Sequence, residues 1–154
     1  MPAPLDVFLD CEFSSMDRPA LLSMGMVTSS GKELYVELSG PALHSALAGA
    51  SDFVLSTVLP QFGTHPAAKA TSNAELGHMV AAWLQELRSV PLSVCYDYHS
   101  DMDLLEESLR AAGIWDELRH VLEATHVAYL LGEPSVREAM ERSWNASSHE
   151  DRIG

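Results

Sequence analysis

Positive charge is scarce in this chain. Nine Lys and Arg stand against 22 Asp and Glu over 154 residues, a net charge of −13. That balance excludes broad, charge-driven binding of nucleic acid or of an anionic membrane. It leaves room for a small acidic site that reaches an anionic substrate through divalent cations. Cysteine is nearly absent too: Cys11 and Cys95 are the only two, each flanked by apolar, strand-like residues. They make neither a disulfide framework nor a thiolate metal site, and read as reduced core residues of a cytosolic, cytoplasmic protein. No window approaches the roughly 18 apolar residues of a membrane span. The start "MPAPLDVF" lacks the basic head and long apolar stretch of a signal peptide. The sequon-like Asn145-Ala146-Ser147 matters only in a secreted chain and so carries no weight. The aromatic residues are not interleaved with Lys or Arg, which argues against a single-strand stacking platform.

What is present is apolar patterning over 47% of the residues, enough for one domain spanning 1–154 with a real core, undivided by repeats or linkers. Leu5 to Phe13, Ala20 to Ser29 and Lys32 to Ser39 read as three strands. Ser29-Ser30-Gly31 supplies a tight turn, so the group is an antiparallel meander. The period then becomes helical. "DFVLSTVL" after Ser51 is a short run ended by Pro60. Beyond Ser72 and Asn73, both good caps, Leu76, Met79, Val80, Trp83, Leu84 and Leu87 repeat at helical spacing. "LSVCY", Leu92 to Tyr96, is a fourth strand. Ser100 caps a helix carrying Leu104, Leu105 and Leu109, which Gly113 stops. Ile114, Trp115, Leu118, Val121 and Leu122 fit a further amphipathic helix, Val127 to Leu131 a fifth strand, and Pro134 opens a last helix with Val136, Ala139, Met140 and Trp144 on one face. The expected fold is therefore α/β: a mixed five-stranded sheet, a three-strand antiparallel meander followed by parallel strands, covered by helices. The fourth strand most simply returns beside the first.

Two carboxylates interrupt the first strand, "VFLDCEF". Side chains alternate along a strand, so Asp10 and Glu12 face one side, about 6.6–6.8 Å apart. Both lie near the strand's carboxyl end, where open α/β sheets place their sites. A solvated edge-strand pair is the plain structural reading. A second group, "YDYHSDMDLLEESL", bears on the choice. Asp101 precedes Leu104 and Leu105 by three and four residues and so points inward. Asp103 shares the solvated face with Glu106, Glu107 and Arg110, and an acid in a first helical turn is favoured by the helix dipole alone. With strands one and four adjacent, Asp10, Glu12 and Asp101 converge. Three carboxylates repel one another unless cations neutralise them. Hard oxygen donors without sulfur suit Mg²⁺ or Mn²⁺, and a two-metal site is a known solution for phosphodiester hydrolysis.

These residues resemble a known family. "FLDCEF", followed by "LLSMGMVTSSGKELYVEL", is similar to the first motif of the DEDD superfamily of 3′–5′ exonucleases, Asp-x-Glu on the first strand of a ribonuclease-H-like fold. The closest likeness is to small bacterial and phage 3′–5′ exoribonucleases of the DEDDh branch, relatives of ribonuclease T and oligoribonuclease. The second family motif aligns with Asp97 to Leu105, its metal-binding Asp falling on Asp101, with Asp97 in place of Asn and Ser100 in place of an aromatic residue. The resemblance implies that Asp10, Glu12 and Asp101 bind metal and carry catalysis, and that Phe13, Ser14 and Met16 touch the terminal nucleotide. It also implies RNA or short-oligonucleotide 3′ ends as substrate and a homodimer. The bland reading of Phe13 and Met16 is rim or core.

The likeness covers most of the chain in element order and about twenty residues in motif. The family closes with a His general base and, five positions later, a fourth Asp; that pair is not found. From His149, five positions on is Gly154, and His149 and Asp151 read as tail residues. Either the missing pair lies beyond Gly154, or the member is catalytically impaired. Among the other histidines, only His99 stands close enough in sequence to Asp101 to approach the site. Two further readings remain. An aspartate-nucleophile phosphatase also opens on an acid-x-acid strand, but it needs a phosphoryl-binding Lys, and the only lysines are Lys32 in the hairpin and Lys69 in a loop. A catalytically impaired ribonuclease-H-like module that binds nucleotides or a partner is the main alternative to the exonuclease.

Overall fold

The computed structural model describes residues 3–62 and 68–127. Its centre is a six-stranded mixed sheet: β1 (Leu5–Phe13), β2 (Leu21–Thr28), β3 (Glu33–Leu38), β4 (Ala68–Ala70), β5 (Leu92–Tyr96) and β6 (Leu122–His126), in the order β4-β3-β2-β1-β5-β6. β2 pairs antiparallel with both β1 and β3, which is the expected meander. The meander turn closes through Thr28 and Lys32, with Gly31 at φ 92°, where a side chain is strained. β5 lies parallel beside β1, as expected for the fourth strand of the sequence reading, and β6 lies parallel beside β5. Every residue of β2 and β5 is buried, which fits their mainly apolar sequences and inner places in the sheet.

The α-helices among the described residues are α1 (Gly40–Leu47), α2 (Asn73–Leu87), α3 (His99–Ala111) and α4 (Trp115–Leu118). α2 starts where its caps predict. The Ser72 hydroxyl accepts the Glu75 amide at 3.0 Å, and the Glu75 carboxylate reaches back to Thr71. The apolar stripes of α2 and α3, among them Leu76, Val80, Leu84, Leu105 and Leu109, pack with Val7, Leu9, Cys11, Met24, Met26 and Val36 in one continuous core. The alternating residues of β1, Asp10 and Glu12, are thereby turned away from this core.

Four expectations are corrected. The sheet has six strands among the described residues, not five, because β4 is only three residues long and follows a loop, too short to show a period. The last described strand is Leu122–His126, so the helix expected through Val121 and Leu122 ends at Leu118. As an outer strand in the described sheet, β6 exposes Glu123 and Ala124, and its pattern is weaker than the apolar run after it. Val127 itself is buried and donates its amide to Tyr96; the rest of the run to Leu131 lies outside the described residues. "DFVLSTVL" forms a π-helical turn over Val54–Val58, and Pro60 sits inside the following 3₁₀ turn, Leu59–Gln61. α1 had no sequence signal beyond Pro41 in its first turn. The helix after Pro134, with His149 and Asp151, lies outside the described residues. Among the described residues no helix is long and apolar enough to cross a membrane.

Candidate functional site

The parallel pairing of β1 and β5 brings their carboxyl ends to the same edge of the sheet, and α3 starts directly above it. Asp101, in the first turn of α3, is 1% exposed, the inward direction its spacing to Leu104 and Leu105 requires. Its Oδ1 accepts the backbone N–H of Cys11 at 3.3 Å, between Asp10 and Glu12 in the chain. A residue 90 positions away is thus fixed at the Asp-x-Glu segment. Asp103 is exposed.

Asp101 also takes a backbone hydrogen bond from Tyr98, the residue flanking α3, while its own amide bonds the Tyr98 carbonyl at 3.0 Å. It is the residue that closes the helix start, in place of the expected Ser100. Helix and strand geometry therefore converge on one carboxylate: it caps α3 and ties α3 to β1.

Electrostatics show how close the acids stand. Asp10 is pushed up from the ordinary aspartate value to about 7, first by lost hydration and then by the charges of Glu12, Asp101 and Asp97. The residue as a whole is nonetheless exposed to solvent. Asp101 is likewise pushed up to about 7; burial is the largest cause, the Cys11 and Tyr98 hydrogen bonds oppose it, and Asp97 and Glu12 add to it. Burial also raises Glu12. Among the described residues no Lys or Arg forms an ion pair with any of the three. Among the described residues negative charge gathers here without a counter-charge, which favours uptake of protons or cations. The donor chemistry is hard oxygen and suits Mg²⁺ or Mn²⁺. As the side chains stand, however, no group of three or more His, Cys, Asp or Glu among the described residues is arranged to hold a metal ion.

The remaining site residues divide. Met16 is 66% exposed beyond the end of β1, whereas Phe13 is half-buried and packs against the core. Ser14 is buried and committed to its loop: its hydroxyl bonds the Arg18 carbonyl and takes the Ala20 amide, and its carbonyl takes the Ser51 amide. That engagement leaves it poorly disposed toward a nucleotide. The His99 ring stacks on His126, with centroids 4.5 Å apart, and lies against Tyr96; His126 Nε2 donates to the Asp97 carbonyl at 2.8 Å. Cys11 is no nucleophile here. Its thiol is buried and held well above the ordinary range by burial and by Asp101, Asp10 and Glu12. Cys95 is also buried and free.

Sequence reasoning placed Asp97 at a strand end without seeing its reach: its field raises both Asp10 and Asp101. It also missed Glu37, fully buried on β3 between the Tyr35 hydroxyl and Lys69 of β4. The available signal was parity, since Glu33, Tyr35 and Glu37 share one face of "ELYVEL". No protein-family model matches the chain, and no curated protein matches it.

Proposed function

We propose that this chain is a divalent-metal-dependent 3′–5′ exonuclease of ribonuclease-H-like architecture that hydrolyses RNA or short oligonucleotides from the 3′ end. The observation that carries the reading is the meeting of Asp10, Glu12 and Asp101 at the ends of two adjacent parallel strands, without a cationic partner among the described residues. Burying a carboxylate such as Asp101 beside two further acids is costly unless a ligand or proton relieves the group. A hard dication is the ligand their oxygens suit, and it would compete with the Cys11 amide for Asp101. When bound, such a metal pair activates water and stabilises the leaving oxygen of a phosphodiester. The chain's own part is to hold the acids at fixed separation on β1 and α3, with Met16 exposed on the same rim. The resemblance noted in the sequence adds a homodimer and a cytoplasmic setting to this reading.

A second reading is a catalytically impaired nucleotide- or partner-binding module, favoured by the pairing of His99 with His126 and Tyr96 rather than with the acids. A 5′-labelled oligonucleotide incubated with Mn²⁺ separates the two. Progressive shortening by single nucleotides from the 3′ end, lost in Asp10→Asn, supports the exonuclease. Binding without shortening supports the module, and cleavage at internal positions removes the exonuclease reading.

A further inference from the structure

Glu12 does not stand alone on its face of the sheet. Its partner on β2 is Ser23, the partner of Ser23 on β3 is Glu37, and the partner of Glu37 on β4 is Lys69. Cross-strand partners point to the same face, with Cβ atoms about 4.5–5.5 Å apart. A polar row thus runs across four strands from the candidate site to Lys69. Ser23 and Glu37 in the middle of the row are 1% and 0% exposed.

The row has a direction. Lys69 pairs with Glu37 Oε1, so that oxygen accepts from the ammonium. The Tyr35 hydroxyl donates to Glu37 Oε2 at 3.0 Å. Its one proton is thereby spent, so toward Ser23 the phenol oxygen acts as acceptor, and Ser23 is its donor. The Tyr35 hydroxyl is held well above the ordinary phenol range, mainly by burial; the Ser23 hydrogen bond opposes this, and both Glu37 and Glu12 lie close enough to contribute.

We propose that Lys69, Glu37 and Tyr35 are positioning residues that draw the Ser23 proton away from β1, so that Ser23 presents only lone pairs to Glu12 and the Glu12 carboxylate keeps its oxygens for a cation. The proposal rests on the metal reading of the site. A hydroxyl free to rotate beside a carboxylate donates to it, and that bond competes with a metal for the same oxygen. The chain removes the competitor from three strands away.

The test is the affinity for Mn²⁺ alone, by calorimetry, with far-ultraviolet circular dichroism confirming that each variant is folded. Tyr35→Phe releases the Ser23 proton and weakens Mn²⁺ roughly 3–10-fold, the size of one hydrogen bond's net free energy. Adding Ser23→Ala to Tyr35→Phe removes the freed donor and restores the affinity, although it deletes a second polar group. A merely structural role for Tyr35 gives the opposite, a double variant no better than the single. Glu37→Gln provides an independent arm. Its amide can donate to the Tyr35 oxygen, reversing the chain, so it too loses affinity and is rescued by Ser23→Ala. Wild-type affinity in Tyr35→Phe and Glu37→Gln, or loss without rescue, overturns the proposal and leaves the metal reading intact. A wild-type protein that takes up no Mn²⁺ removes both.

Discussion

At the scale of single residues, the question is what neutralises the acids at the ends of β1 and β5. If a cation does, Mn²⁺ raises the melting temperature, because a ligand that prefers the native state stabilises it. Asp10→Asn and Asp101→Asn abolish that rise, and the exposed Asp103→Asn keeps it. Equal losses at Asp101 and Asp103 would mean that helical spacing does not single out the inward carboxylate as the ligand. Without metal, protons take the cation's place. Asp10 and Asp101 titrate near 7 in the folded chain against 3.8 ordinarily. Between those values the native state holds more protons than the unfolded one, so stability falls as pH rises. In chelator, wild type therefore loses melting temperature between about pH 4.5 and pH 7.5 relative to Asp101→Asn, which cannot ionise there. A difference between the two that stays constant over that range would refute the raised values. The direction of Asp101 was legible because helical spacing from Leu104 and Leu105 fixes it locally. The link from Glu12 to Glu37 was not, since it exists only once four strands are in register.

Elements are held in place by contacts that sequence shows unevenly. β2 and α2 were readable because burial imposes a continuous run on one and a helical stripe on the other. β4 and β6 were not, since a three-residue strand and a half-exposed one inherit their conformation from neighbours more than from their own pattern. Gly77 shows a further limit. On sequence it is a weak helix former inside α2, yet it is where α2 meets α3. A Cβ there would stand 2.0 Å from the Ser108 carbonyl oxygen and 3.0 Å from the Ala112 methyl. Gly77→Ala gains about 1 kcal/mol of helix propensity. Overpacking rigid backbone costs more, up to about 3 kcal/mol, so the expected net loss is about 1–2 kcal/mol in urea unfolding. Ser72→Ala, which only deletes the α2 cap, costs about 1 kcal/mol. A Gly77→Ala variant as stable as wild type would show that the two helices can separate at no cost, and that Asp101, carried on α3, is less firmly placed than its bond to Cys11 indicates.

For the whole molecule, charge decides how a substrate arrives. A protein that grips nucleic acid through Lys and Arg releases counterions on binding, and its affinity falls steeply with salt, by about 10³–10⁵ between 50 and 200 mM for six to ten phosphate contacts. This chain carries −13, and three of its six described Lys and Arg are paired with acids: Lys69 with Glu37, Arg110 with Glu106, Arg119 with Asp116. On the proposed function, an oligonucleotide is repelled at long range and attracted only where divalent metal sits among the acids. Monovalent salt screens the repulsion over roughly 8–10 Å while leaving a direct metal–phosphate contact in place. At saturating Mn²⁺, the affinity of the protein for a short single-stranded oligonucleotide is therefore expected to change by less than about tenfold between 50 and 200 mM KCl, and to increase if anything. Fluorescence anisotropy across that range, repeated with a longer strand, reads the slope directly. The longer strand binds no tighter, since its extra phosphates meet an acidic surface. A steep fall with salt, or affinity that grows with length, would reveal a basic track along the chain and would move the substrate from short 3′ ends to extended nucleic acid.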